Sequence, residues 1–240
     1  AIMQEGPHWY FQDYPIEQQV WFYNSLISVD VIFAHNKSDV NYYKGLTNNK
    51  HVYQNKSLMI EDKIKPTTES KDRNGVIIGG NFCRWYGGFD SYIVAQEFEE
   101  QVYSPSMGRK ISGEEGMPNL KHLPYMDWCD WINNLSQFKY AVHLMPTHAA
   151  GTFALNCAYY GIPCIGYKGL DTQELCFPDL TIEVGDLYKA RQLVQRLKKD
   201  QDFYKECSNI SKLKYNECFS IEQYTYIMKK VIKEVINENN

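Results

Sequence analysis

Apolar residues at Ile16, Val20, Tyr23, Leu26 and Ile27 fall on one face of a helix, which predicts a helix over residues 16–29. The next run, DVIFAH over 30–35, is short, continuous and apolar, the pattern of a buried strand. Asn36 to Asp39 supply a helix start ahead of VNYYKGL. Before these, AIMQEG reads as a strand with no turn in front of it, as though the chain opened inside a domain. Residues Lys50 to Asn74 are polar and charged and end in KPTTESKDRNG, a linker by composition.

From Gly75 the pattern becomes regular. GVIIGGN (75–81) is a buried-type strand running into glycines, FDSYIVAQEFEE a helix and QVYSPSMG (101–108) a strand. NLKHLPY (119–125) predicts another strand, and DWCDWINNLSQF (127–138) a helix with an aspartate at its start. YAVHLMP (140–146), GTFALNCAYYG (151–161) and PCIGY (163–167) read as strand, helix and strand, and TIEVG (181–185) as one more strand. Residues 186–200, 202–217 and 221–236 have helical periodicity. Strands alternating with helices define an α/β class, a parallel sheet covered on both faces.

Composition narrows the function classes. The chain has 240 residues, 44% hydrophobic and 22% charged, ordinary for a protein that buries a core. A net charge of −4 lacks the basic footprint of a nucleic-acid binder. No apolar run approaches the roughly 18 residues of a membrane span, and no cationic segment followed by an apolar stretch stands at the start. Seven cysteines include no C-x-x-C pair and no His at zinc-ligand spacing, so the expectation is a reduced, cytoplasmic protein without a structural metal. The N-x-[ST] matches at Asn36, Asn55, Asn134 and Asn209 then read as coincidence. Aromatic residues, at 15%, are the unusual feature.

In open α/β sheets ligands bind outside the carboxyl ends of the strands, where strand order reverses. That rule selects four loops. GGNFCRWYGG (79–88) offers glycine amides that an anion can approach closely, with Arg84 as a fixed bidentate cation. A tight strand–helix turn would need the same glycines. MPTHAAGTF (145–153) leads into a helix near Gly151 or Thr152, whose free N–H groups and dipole suit a phosphate. Asn156 lies one turn further on the same face, and His148 stands just before the helix. The bland alternative is Thr152 as an N-cap and His148 as a structural residue. KGLDTQEL (168–175) places Lys168 and Glu174 after the next strand, both ordinary solvated charges. In LPYMD (123–127) the backbone beside Tyr125 can read a flat ring.

From Gly75 to about Ser220 the order of these segments resembles the donor-binding domain of retaining GT-B glycosyltransferases of the glycogen-synthase-like group. The resemblance is carried by GVIIGGNFCRWYGG, VYSPSMG, NLKHLPYMDWCDWINNL, YAVHLMPTHAAGTFALNCAYYGIPCIGY and QEL. G-I-P-C-I-G stands where the family has G-x-P-V-I-A, and Glu174 at the glutamate of its P-E-L. The Glu-x7-Glu motif falls on His148 and Asn156, and the basic pair of G-R-x4-K-G on Asn81 and Tyr86, with Arg84 between them to take the diphosphate charge. By this resemblance Gly80, Asn81, Arg84, Tyr125, His148, Gly151, Thr152, Asn156, Lys168 and Glu174 form the donor site. His8, beside Glu5, is the candidate sugar-contacting or catalytic histidine of the acceptor side. A partial acceptor-side domain over 1–62, a linker over 63–74, a donor domain over 75–220 and a helix at 221–240 returning to the N-terminal part are implied.

The resemblance implies transfer of a sugar from a nucleotide-diphosphate sugar to a glycan, lipid or small-molecule acceptor, with retention and without a metal or other cofactor. A nucleotide- or glycan-binding module without turnover is the alternative that the missing carboxylates raise. A sugar-nucleotide epimerase would need carboxylic acid–base groups, for which Glu174 and Glu5 are the candidates. Trp9, Tyr10, Trp85, Tyr86, Trp128 and Trp131 are potential sugar-stacking surfaces, although the spacing of Trp128 and Trp131 equally fits core and rim packing.

Overall fold

A computed structural model describes residues 1–3, 14–64, 73–80, 82, 85–106 and 113–238. Its larger sheet grows from strands too apolar to face water on either side. β3 (Val76–Ile78), β6 (Tyr140–His143) and β7 (Cys164–Tyr167) are buried at every residue. β4 (Val102–Ser104), β5 (Leu120–His122) and β8 (Thr181–Ile182) complete six parallel strands in the order β5-β4-β3-β6-β7-β8. Strand order therefore reverses between β3 and β6, which pair Val76 with Tyr140 and Ile78 with Val142.

Helices cover this sheet: α3 (Gly88–Ala95), α4 (Trp128–Leu135), α5 (Thr152–Tyr160), α6 (Asp171–Cys176), α7 (Leu187–Lys199) and α8 (Gln201–Cys218). α7 illustrates the cause. It buries Ala190, Leu193, Val194 and Leu197, one stripe at i, i+3, i+4 and i+7, and turns its charges outward. Aspartates start three helices: Asp127, Asp186 and Asp200 each accept a hydrogen bond at 2.9 Å from the backbone N–H three residues on.

A smaller unit precedes the sheet. α1 (Ile16–Ile27), β1 (Ile32–Ala34), α2 (Lys37–Thr47) and β2 (Val52–Gln54) form it, with β1 and β2 parallel. The strand read at AIMQEG is a single parallel bridge between Ile2 and Phe33, and its residues 4–6 lie outside the described ones. The linker expected from Lys50 needs correction, because β2 lies inside it. Val52 is buried against β1 although its neighbours are polar, so pairing rather than hydrophobic pattern makes the strand. α9 (Ile221–Glu238) packs Val231 and Val235 against Phe33. Among the described residues no helix is long and apolar enough to cross a membrane.

Candidate functional site

The β6–α5 loop is fastened to α3 and to the loop that precedes it. Thr147 Oγ1 donates to the Trp85 carbonyl at 2.7 Å, and the Leu144 N–H donates to Ser91 Oγ at 2.8 Å. Gly87, at φ +61°, lies so close that a Cβ there would collide with the Leu144 carbonyl oxygen. The start of α5 is open: Gly151 caps it at φ +69°, and Gly151, Thr152 and Phe153 all line a cavity of about 520 Å³.

That cavity runs along the carboxyl edge of the sheet. Gly80 and His143 stand at the switch point after β3 and at the end of β6. Pro105 and Ser106 follow β4, and Pro124, Tyr125 and Met126 follow β5. Trp128 and Trp131 on α4 form a wall with Tyr86 and Phe153, Trp131 stacking near Phe153 at 6.4 Å between ring centroids. Asn156, one turn into α5, is buried and faces the cavity beside Thr152. No Asp, Glu, Lys or Arg lines the cavity among the described residues. Its volume is in the usual range of a small-molecule site.

Of the residues selected from sequence, Gly80, Tyr125, Gly151, Thr152 and Asn156 come together here. His148, Lys168 and Glu174 do not line the cavity. His148 Nδ1 lies 3.0 Å from Oδ1 of the buried Asp39. Lys168 Nζ pairs at 3.1 Å with the exposed Glu183, and Glu174 accepts the Gly169 N–H at 2.8 Å. Asn81, Arg84, His8 and Glu5 lie outside the described residues.

His143 was not selected, although a signal was present: it is the one polar residue in the otherwise apolar run YAVHLM. Its imidazole is buried, packs edge-on against Phe153 at 4.9 Å and covers Gly79, whose missing Cβ would sit 2.5 Å from the ring. Burial pushes its pKa down to about 4, so the ring is neutral at neutral pH.

The loop feeding α5 is also held from the smaller unit. Asn36 Nδ2 donates to the Ala149 carbonyl and to Asp39 Oδ2, both at 2.8 Å, and its Oδ1 accepts the Asp171 N–H at 3.0 Å. Asp171 accepts in turn from the Lys37 N–H at 3.2 Å and from the Gln54 amide. Ser57 donates to the Ala150 carbonyl. Burial raises the Asp171 pKa, and the Gln54 and Lys37 hydrogen bonds oppose that shift. No cluster of three or more His, Cys, Asp or Glu is placed to hold a metal among the described residues.

No protein-family model and no curated protein sequence matches the chain. Solved structures do. Sucrose-phosphate synthase from Thermosynechococcus elongatus superposes with a TM-score of 0.75 at 14% identity, over 93% of this chain and 63% of that one. Anabaena HepE in complex with UDP gives 0.77 at 9% identity, over 97% and 71%. A mutant of S. aureus TarM, with fondaparinux, alpha-GlcNAc-glycerol and UDP, gives 0.71 at 9% identity, over 90% and 46%. These neighbours are GT-B glycosyltransferases, and the likeness shows that this chain has the GT-B type of α/β fold. The chain spans less than two thirds of the synthase and less than half of TarM.

Proposed function

We propose that the chain binds a nucleotide-diphosphate sugar and transfers its sugar to a glycan, lipid or small-molecule acceptor, with retention and without a metal. The observation that carries this reading is the open N-terminus of α5 on an aromatic cavity at the switch point. The first N–H groups of α5 have no intrahelical acceptor and sit at the positive end of the helix dipole, the chemistry a diphosphate needs. Tyr125 and Trp128 at the far end suit a planar base, and Asn156 suits a ribose hydroxyl. UDP in the HepE and TarM structures makes uridine the first base to try.

In the transfer, the acceptor hydroxyl oxygen bonds to the anomeric carbon on the face from which the diphosphate leaves. The anomeric C–O bond breaks with its electron pair going to the diphosphate, which takes the hydroxyl proton. The charge that develops on the leaving group is what α5 and Arg84 would stabilise, so no protein nucleophile is required. In this reading residues 1–62 and 221–240 belong to the acceptor side, 63–74 link them, and 75–220 hold the donor. His8 and Glu5 are the acceptor-side candidates.

A second reading, a binding module without turnover, is favoured by the lack of any charged side chain among the described cavity-lining residues. Thermal shift with UDP, GDP, ADP and TDP tests the shared premise. A ligand at 100 times its Kd adds about 2.7 kcal/mol to stability, a readily visible shift. We expect a selective UDP shift that Asn156→Ala and Arg84→Ala reduce, and no shift with any nucleotide would overturn the transfer reading and leave only a glycan-binding module of the second. Release of UDP from UDP-glucose, with or without an added acceptor, separates the enzyme from the binding module.

A further inference from the structure

We propose that His143 holds the sugar of the donor, hydrogen-bonding one of its hydroxyls and so selecting an uncharged sugar ring; the inference rests on the donor-site reading above. His143 ends β6 at the point where strand order reverses, between Gly80 and the start of α5. Its ring is fixed on two sides, by Gly79 and by the edge of Phe153, and that environment contributes no hydrogen bond to either ring nitrogen among the described residues. Neither nitrogen is sealed off without a partner, as the buried His35 Nε2 is; the remaining exposure of His143 opens into the cavity.

Water in the cavity can reach the exposed ring nitrogen in the free protein, so a ligand that displaces it must offer a hydrogen-bonding group in its place. The neutral imidazole presents one N–H donor and one lone-pair acceptor. A sugar hydroxyl, which both donates and accepts, matches that pair. A phosphate offers acceptors only, and its natural partners here are the α5 amides at Thr152 and Phe153. With Arg84 given to the diphosphate in the reading above, a carboxylate on the sugar would find no cation among the described lining residues. The class that fits is therefore a neutral hexose or N-acetylhexosamine, not a uronic acid.

The test compares calorimetric Kd values of UDP, UDP-glucose and UDP-glucuronate for the full chain and for His143→Phe and His143→Gln. We expect His143→Phe to weaken UDP-glucose about tenfold while changing UDP less than twofold, and Gln to retain most of the affinity. The unaltered chain should bind UDP-glucuronate at least tenfold more weakly than UDP-glucose. Equal weakening of UDP and UDP-glucose would assign the contact to the nucleotide and overturn the proposal. No weakening of either would leave His143 a packing residue and overturn it too. If the unaltered chain binds no UDP, the donor-site reading itself falls. Should His143→Phe fail to fold, ¹⁵N spectra of the unaltered chain decide. The His143 ring nitrogens should shift with UDP-glucose and not with UDP alone, and equal spectra in the two complexes refute the contact.

Discussion

Gly79 and His143 share one space: the ring lies where the glycine has no side chain. Gly79→Ala should therefore push the imidazole aside and cost about 1–3 kcal/mol by overpacking, read as a lower urea midpoint at unchanged m-value. The same burial makes His143 a source of acid sensitivity. Its folded pKa of about 4 lies below the ordinary 6.5, so the unfolded chain binds the proton first as pH falls. Stability from this residue is complete above pH 6.5, declines as pH falls and is lost below about 4, a loss of about 3 kcal/mol. Replacing it by Gln should flatten the stability curve across that window, and parallel curves for the two proteins would refute the assignment. Five candidate residues converge on the cavity because strand ends and helix starts face it by topology. His148, Lys168 and Glu174 do not, since Asp39, Glu183 and the Gly169 amide set their directions. Side-chain partners far along the chain, such as Asp39, leave no mark in local pattern.

At the scale of elements, patterning located the buried strands and the helices other than α6, whose residues were read as part of the loop KGLDTQEL, because both depend on local periodicity and on caps such as Asp127, Asp186 and Asp200. β2 escaped it because three residues in a polar stretch become a strand only when β1 lies alongside. The cavity at the start of α5 is likewise a tertiary fact. Both helices, α3 and α5, follow a glycine-bearing loop, and of the two it is α5 whose first residues, Thr152 and Phe153, line the cavity. Gly87→Ala should be severe, since it combines a left-handed backbone with a collision against the Leu144 carbonyl. A loss of about 3 kcal/mol is expected, with weaker UDP binding because the 144–147 loop must move. Asp186→Ala, which removes a cap remote from the cavity, should cost about 1 kcal/mol and leave UDP affinity intact. Comparing the two variants by denaturation and calorimetry separates general destabilisation from displacement of the site.

In the whole molecule the smaller unit acts as a brace for the cavity's helix. Asn36, at the start of α2, bonds the Ala149 carbonyl in the β6–α5 loop and the Asp171 N–H at the start of α6 at once, while Ser57 bonds the next carbonyl, that of Ala150. These bonds leave the loop that delivers Gly151 and Thr152 little freedom, so in the proposed donor site the α5 amides would meet a ligand already oriented. Asn36 is buried, and truncating it strands two backbone groups and one oxygen of Asp39 without their partner. Asn36→Ala should accordingly cost about 2–3 kcal/mol. It should also speed hydrogen exchange at the amides of residues 148–156 and weaken UDP, although Asn36 lines no part of the cavity. Loss of stability with unchanged exchange and unchanged UDP affinity would mean that the two units merely adhere. Faster exchange together with weaker binding would mean that the small unit sets the geometry of the anion site, and that the two parts of this chain work as one.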